Sequence, residues 1–190
     1  MVLILMGVSG SGKTSVGLKL AERLGCPFYD ADAFHPQSNR EKMARGIPLT
    51  DGDREPWLDR LARLITQWNR EAPLSVLACS ALKRSYRDKL AGGGEVRWVY
   101  LKGDRELIQK RLAGRSGHFL DPALLDSQFD ILEEPIDAIT INIDQANSLY
   151  EACLLWIFAL AQISICRSNC IKAGPDIDTI VDTIQSQLKA

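Results

Sequence analysis

A glycine-rich segment near the amino terminus carries the strongest chemical signal in this sequence. It follows the pattern G-x-x-x-x-G-K-[ST] and consists of Gly7, Val8, Ser9, Gly10, Ser11, Gly12, Lys13 and Thr14. Glycines let backbone N–H groups surround an anion, and a following helix adds the positive end of its dipole. In such a loop the lysine reaches the β- and γ-phosphates of a nucleotide, and the final hydroxyl ligates Mg²⁺. A flexible Gly/Ser connector is the alternative, which a preceding strand and a following helix disfavour.

Two aspartates, Asp30 and Asp32, form a second group that could do chemistry. They follow the apolar segment Pro27–Tyr29, which predicts a short strand. At a strand end, one carboxylate can hold a Mg²⁺-bound water while the other accepts a proton from a substrate hydroxyl. His35, next to Pro36, belongs either to this site or to the entry of a helix. Exposed turn aspartates are the alternative to a paired catalytic role.

Basic residues in two later segments supply the charges that an acid or a phosphate would need. Lys83, Arg84 and Arg87 follow the third predicted strand, and we expect Arg84 to lie on a solvated helix face. Arg111 and Arg115 are one helical turn apart and lie beside glycines. That combination is typical of a lid that brings guanidinium groups onto transferring phosphates, with ordinary surface arginines as the alternative.

Apolar runs and helical periodicity alternate along the chain and predict an α/β fold. The predicted strands are Val2–Met6, Pro27–Tyr29, Leu74–Cys79, Arg97–Lys102 and Ile139–Ile143. The predicted helices are Thr14–Leu24, Pro36–Arg45, one beginning near Pro56, one from Asp104 to about Leu112, one opening at Asp121 and Asp176–Leu188. Five strands with helical crossovers imply a parallel sheet covered by helices on both faces. Ligands bind beyond the carboxyl ends of such strands, where the three groups of residues should converge.

Composition limits the classes of partner and compartment. The chain has 190 residues and a net charge of −1, so it lacks the basic excess that would hold a nucleic-acid backbone. Its length predicts one domain, 1–190. The five cysteines are an odd number, and the N-terminal apolar run ends in the glycine-rich loop rather than in a cleavage site. We therefore expect reduced thiols and a cytoplasmic protein.

One segment, 146–175, interrupts this rhythm. Its thirty residues stand where a strand-to-helix connection usually takes two to six. The part Leu149–Cys166 is almost wholly apolar and contains Glu151 near one end. A helix packed on the body or at an oligomer interface is the preferred interpretation, ahead of a membrane span or translated non-coding sequence.

Five strings of residues occur in an order that points to one enzyme family. They are GVSGSGKT, YDADAFHPQSNREKMARGIPLTDGDREPWL, CSALKRSYRDKL, LKGDRELIQKRLAGRSGHF and LLDSQFDILEEP. In this order they closely resemble the small P-loop gluconokinases, which are related to shikimate kinase. The resemblance covers Val2 to about Gln145 and resumes at about Asp176. It implies a P-loop kinase fold, commonly a homodimer, that uses ATP and Mg²⁺ to phosphorylate D-gluconate to 6-phospho-D-gluconate.

The resemblance also implies roles for individual residues. Asp30 would serve the magnesium shell with Thr14, and Asp32 would orient or deprotonate the attacking hydroxyl. The lid would be about 111–125, with Arg111 and Arg115 as its arginines. The residues implied to grip the carboxylate and hydroxyls of gluconate are His35, Lys42, Arg54, Lys83 and Arg87.

Two other functions fit the same residues. Cations and polar partners do not identify a sugar stereochemically, so the chain could phosphorylate another small hydroxy acid. Alternatively, it could be a weakly active nucleotide-binding protein whose apolar insertion, 146–175, docks a partner or a membrane.

Overall fold

A parallel sheet forms the centre of the protein in a computed structural model that describes residues 1–113, 122–144 and 176–188. Its strands are β1 (Val2–Met6), β2 (Phe28–Asp30), β3 (Ser75–Ala78), β4 (Val96–Lys102) and β5 (Ile139–Asn142). They lie in the order β2-β3-β1-β4-β5, and every neighbouring pair runs parallel. The predicted five-stranded parallel sheet is therefore confirmed.

Seven α-helices accompany the sheet within the described residues. They are α1 (Lys13–Leu24), α2 (Gln37–Ala44), α3 (Asp51–Glu71), α4 (Arg84–Ala91), α5 (Arg105–Ala113), α6 (Pro122–Asp130) and α7 (Ile177–Leu188). A single 3₁₀ turn, Ala31–Phe34, follows β2. Helix α4 was expected from the sequence only as the solvated helix face that carries Arg84, without bounds, and Arg84 is its exposed first residue.

The alternation of side chains along β1 divides the core into two layers. Every residue of β1 is buried. Leu3 and Leu5 belong to a cluster that contains side chains of α1 and α7. Val2, Ile4 and Met6 belong to a second cluster, which also contains side chains of α3 and α4. Since successive side chains of a strand point to opposite faces, helices cover both faces of the sheet, as predicted.

Helix α3 begins five residues earlier than the sequence-based start near Pro56. Thr50 caps the helix, because its hydroxyl accepts a hydrogen bond from the Asp53 N–H at 3.2 Å. The Asp53 carboxylate in turn accepts from the Thr50 N–H at 2.9 Å, which completes a capping box. Pro56 is thus the sixth residue of the helix, where its missing N–H leaves the Gly52 carbonyl without the usual intrahelical donor.

A close approach between α1 and β2 sets the position of the glycine-rich loop. A Cβ atom on Gly17 would lie 2.5 Å from Cε2 of Phe28. Only glycine lets the backbone of α1 come this near to the Phe28 ring. The amino terminus of α1 is consequently held beside the carboxyl end of β2.

Two predicted features fall wholly or partly outside the described residues. The apolar segment 146–175 lies outside them, as does the part of the predicted lid that contains Arg115. In the portion of the chain that the structure covers, no helix has both the length and the apolar character that a bilayer crossing requires.

Candidate active site

The glycine-rich loop joins β1 to α1 and curls around its own backbone. Gly7 and Gly12 have φ angles of 142° and 96°, in the region that favours glycine. A Cβ on Gly7 would also lie 2.8 Å from the Leu101 carbonyl oxygen. The Lys13 ammonium donates to the Val8 carbonyl at 2.9 Å, and the Ser11 N–H donates to the same oxygen at 3.2 Å. The loop is thus already folded around the site where a helix N-terminus favours an anion.

The carboxylate of Asp30 connects this loop to the end of β2. Its Oδ2 accepts a hydrogen bond from the Thr14 hydroxyl at 3.0 Å, and its Oδ1 accepts from the Asp32 N–H at 3.0 Å. A hydroxyl and a carboxylate in contact form a set of hard oxygen donors of the kind that Mg²⁺ prefers. Thr14 and Asp30 therefore fit a magnesium ion that accompanies nucleotide phosphates.

The carboxyl of Asp32 lies close enough to Asp30 and to Lys13 of the glycine-rich loop for both charges to act on it. Although its side chain is reached by solvent, the surrounding protein raises its pKa above that of an ordinary aspartate, and the charge of Asp30 adds to this. The ammonium of Lys13 acts in the opposite direction on the pKa of Asp32. A raised pKa makes this carboxylate a better proton acceptor than a fully solvated one.

His35 is buried and held from two sides. Its ring stacks on Trp57 with centroids 4.1 Å apart, and its Nδ1 lies 3.3 Å from the Asn39 amide nitrogen. The Trp57 indole N–H donates to the Ala31 carbonyl at 2.9 Å, which fixes the ring under His35. Burial, reinforced by the charges of Arg54 and a second arginine, lowers the pKa of His35 to about 4. The imidazole is therefore neutral, accepts through Nδ1 and carries its proton on Nε2.

Two of the predicted substrate-binding cations meet the start of α3: Lys42 reaches it from α2, and Arg54 belongs to its first turns. Lys42 forms an ion pair of 2.7 Å with Asp53, and these contacts lower the pKa of Asp53 to about 2. Arg54 donates to the Leu49 carbonyl and lies 5.7 Å from the ring centroid of Tyr86. Both cations are half-buried, and Arg54 is near enough to His35 for its charge to act on the imidazole.

The third predicted cation, Lys83, holds a carboxylate of the protein itself. Its ammonium contacts both carboxylate oxygens of Asp51, at 2.8 and 2.7 Å, and the Tyr86 hydroxyl donates to the same group. The hydrogen bond from Lys83 is the largest cause that lowers the pKa of Asp51. Lys83, Tyr86 and the nearby Arg54 thus form a cradle suited to a carboxylate.

Arg87 supports the loop after β3. Its side chain is buried, and NH1 donates to the carbonyls of Ala81 and Leu82 at 3.1 and 3.0 Å. Ala81 has a φ of 43°, the one non-glycine residue with positive φ among the described residues. Such a conformation costs about 1 kcal/mol or more and persists where its surroundings hold it. The sequence-based prediction of a gluconate contact did not foresee this supporting role.

The arginines of the predicted lid are only partly described. Arg111 lies in the last turn of α5, and its guanidinium donates to the Ile143 carbonyl at 3.4 Å. The structure therefore places Arg111 beside the end of β5, near the loop residue Gly10, which packs against Leu112. Arg115 lies outside the described residues.

Comparison with known proteins decides the family. Residues 9–144 match the sequence profile of the shikimate kinase family. The probable gluconokinase of Xenopus tropicalis is 46% identical over 168 residues, which cover 78% of this chain and 88% of that protein. The thermosensitive gluconokinase of Escherichia coli is 45% identical over 173 residues, with coverages of 87% and 92%. The chain belongs to the gluconokinase family.

A solved structure agrees with this assignment. The crystal structure of a gluconokinase from Sinorhizobium meliloti superimposes with a TM-score of 0.69 at 39% identity and covers 85% of this chain and 93% of that one. Membership of the gluconokinase family makes the chain a phosphotransferase and implies ATP as its substrate, which confirms the kinase prediction.

Sequence reasoning missed one contact to the glycine-rich loop, Gly7 to Thr14, which we call the phosphate loop of this gluconokinase-family chain. The carboxamide of Gln128 on α6 accepts from the Ser9 N–H at 2.7 Å and donates to the Ser9 hydroxyl at 2.9 Å. The two residues are 119 positions apart in sequence, so no local pattern links them. Family resemblance included the string LLDSQFDILEEP, but assigned no role to its glutamine.

The neutral state of His35 predicts a pH dependence of stability. Its folded pKa of about 4 lies below the unfolded value of 6.5, so its contribution is present above pH 6.5 and is lost as the pH falls towards 4. Between pH 7.5 and pH 5 we expect the free energy of unfolding to fall by about 2 kcal/mol from this group alone.

Urea denaturation at a series of pH values measures this effect. His35→Gln should flatten the dependence between pH 7.5 and pH 5, while His118→Gln, which removes the only other histidine, serves as the control. An equal slope in the parent and in His35→Gln would contradict the assignment of a neutral, buried His35.

Proposed function

We propose that this protein transfers the γ-phosphoryl group of ATP to D-gluconate and forms 6-phospho-D-gluconate. The observation that carries the proposal is the placement of a paired-carboxylate site, Asp30 and Asp32, directly against a phosphate loop in a gluconokinase-family chain. A kinase of this kind needs positioned reactants and neutralised phosphate charge more than covalent chemistry.

At the nucleotide end, the backbone from Gly7 to Thr14 would bind the phosphates, with the helix N-terminus of α1 behind them. From its position on the Val8 carbonyl, Lys13 would also donate to the β- and γ-phosphates, since an ammonium carries three N–H donors. Thr14 and Asp30 would hold Mg²⁺, which neutralises charge on the transferring phosphoryl group when bound. We propose that Arg111 and Arg115 complete this neutralisation from the lid.

At the acceptor end, Asp32 would receive the proton of the attacking hydroxyl. Its raised pKa supports this role, because a base whose pKa lies nearer the working pH takes a proton more readily. The N–H of Asp32 is held by Asp30, so the base and the metal ligand keep a fixed separation. The hydroxyl would thereby face the terminal phosphate in line.

The carboxylate of gluconate would bind in the cradle of Lys83, Tyr86 and Arg54. Asp51 supports this assignment, because it is a carboxylate already bound there by the first two residues. Gluconate would displace or share this contact, since the Asp51 side chain is exposed and can turn to solvent. Charge-assisted hydrogen bonds of this type are about twice as strong as neutral ones.

The hydroxyl groups of the substrate would face the remaining predicted residues. His35 offers an Nε2–H donor, and Lys42 offers an ammonium that Asp53 now holds. Arg87 would act on the substrate through the loop that it supports, which also carries Lys83.

We also propose a cytoplasmic homodimer. The free thiols of Cys26 and Cys79 suit a reducing compartment.

A coupled ADP-release assay with the purified full chain tests the proposed function. Gluconate, other sugar acids and shikimate are compared at equal concentration, and the gluconate product is identified by mass and by ³¹P NMR. We expect ADP release that depends on gluconate and forms one phosphomonoester. Faster turnover of another hydroxy acid would identify that acid, rather than gluconate, as the substrate. Nucleotide binding without turnover of any acid would favour the weakly active nucleotide-binding protein described above.

Lys83→Ala tests the carboxylate cradle. Loss of a charge-assisted contact to the substrate acid should raise the KM for gluconate by about tenfold or more, with a smaller change in the KM for ATP. Arg84→Ala is the matched control, because Arg84 is the adjacent cation and its side chain is exposed beside Asp88. A Lys83→Ala enzyme with the parental KM for gluconate would remove Lys83 from the substrate site.

A further inference from the structure

The contact between α6 and the phosphate loop includes two hydrogen bonds between one pair of residues, Gln128 and Ser9. Gln128 uses both polar atoms of its carboxamide on Ser9: Oε1 accepts from the backbone N–H, and Nε2 donates to the hydroxyl. The residue is half-buried, so water competes less for these bonds than at an exposed site.

The N–H of Ser9 and the carbonyl of Val8 belong to the same peptide group. Gln128 holds the N–H end of this peptide at 2.7 Å. The carbonyl end accepts from the Lys13 ammonium at 2.9 Å and from the Ser11 N–H at 3.2 Å. Since a peptide group is planar and rigid, fixing one end fixes the direction of the other. The orientation of the acceptor for Lys13 therefore depends on Gln128.

Gly10, the residue after Ser9, makes the tip of the phosphate loop flexible unless other contacts hold it. Gly10 follows Ser9 with a φ of 85°, and glycine gives the tip of the loop access to several backbone conformations. The side-chain bonds from Gln128 restrict this freedom at the position just before the glycine. The loop alone would otherwise lose more conformational entropy when it closes around a phosphate.

Helix α6, which carries Gln128, is itself held in place by packing and by an ion pair. Leu124 and Leu125 on this helix are buried. Arg105 of α5 forms an ion pair with Asp126 and lies 5.0 Å from the ring centroid of Phe129. Two apolar anchors and a link to α5 thus hold the helix turn that presents Gln128.

We propose that Gln128 is a positioning residue for the phosphate loop: it fixes the Val8–Ser9 peptide and thereby holds Lys13 where it meets the nucleotide phosphates. The inference rests on the proposed kinase function for its effect on turnover, whereas its effect on nucleotide binding does not depend on which acid is phosphorylated. Gln128 touches no reacting atom in this account.

The test compares Gln128→Met with the parent by titration calorimetry with Mg·ADP and by steady-state kinetics. Methionine fills similar space without the hydrogen bonds, so packing is preserved. We expect ADP affinity and kcat/KM for ATP to fall by about tenfold, with the KM for gluconate within about twofold of the parent. The Tm should change by no more than about 2 °C, and Gln128→Ala should give the same pattern if methionine disturbs folding.

Three further variants separate positioning from general structure. Ser9→Ala keeps the backbone bond and should cost only about twofold in ADP affinity. Ser127→Ala changes the adjacent residue, whose hydroxyl bonds within α6 to the Leu124 carbonyl, and should have no effect. In a Lys13→Ala background, Gln128→Met should reduce ADP affinity by much less than in the parent, because the two residues act through one peptide.

Parental ADP affinity in both Gln128 variants would overturn the proposal. A loss of ADP affinity that is accompanied by a lower Tm and a raised KM for gluconate would also overturn it. So would a loss of ADP affinity that is as large in the Lys13→Ala background as in the parent. If the parent does not phosphorylate gluconate but ADP affinity still depends on Gln128 through Lys13, the proposed function fails and the inference about Gln128 stands.

Discussion

The carboxylate of Asp30 is the contact on which the rest of the candidate site depends. One oxygen takes the Thr14 hydroxyl at the start of α1, and the other takes the Asp32 N–H in the turn after β2. A single side chain therefore sets the distances between the phosphate loop, the proposed metal ligands and the proposed base. This is possible because β2 lies at the sheet edge beside β3 and because Gly17 lets α1 approach Phe28 closely. The packing of α1 against the sheet thus determines the spacing of the groups that are proposed to carry out phosphoryl transfer.

Charge neutralisation inside the protein is the second theme of the site. Lys83 and Lys42 are held by Asp51 and Asp53, two aspartates from the first turn of α3. Both aspartates also benefit from the positive end of that helix dipole. The cations of the cleft entrance are consequently held in defined positions before a sugar acid arrives. In the proposed binding mode, an entering substrate carboxylate would exchange one anionic partner for another, which would reduce the desolvation cost that a bare cation incurs.

Local patterns in the sequence predicted much of this framework. The phosphate loop and its flanking strand and helix are contiguous, so residue spacing was sufficient for Gly7 to Leu24. The apolar runs of β3 and β4 were similarly clear, with bounds that differ by one residue from the observed ones. The early start of α3 could have been read from Thr50 and Asp53, which have the spacing of a capping box.

The missed features are tertiary. Gln128 meets Ser9 across 119 positions, and the cradle around Lys83 joins α3 to α4. Neither contact leaves a periodic signal in one segment. The buried, supporting position of Arg87 could not be distinguished by residue type from a substrate-binding arginine. Such pairings depend on how helices pack on the sheet, and a single sequence does not reveal that packing.

The most direct measurement of the central claim is the Mg²⁺ dependence of turnover in two isosteric variants. At saturating ATP and gluconate, Asp30→Asn should require at least about tenfold more Mg²⁺ for half-maximal rate, because it weakens the metal shell. Asp32→Asn should keep the parental Mg²⁺ dependence and lower kcat by about 10² or more, because it removes the proton acceptor. The reverse assignment, with Mg²⁺ dependence altered only in Asp32→Asn and kcat lost only in Asp30→Asn, would contradict the division of roles between the two carboxylates.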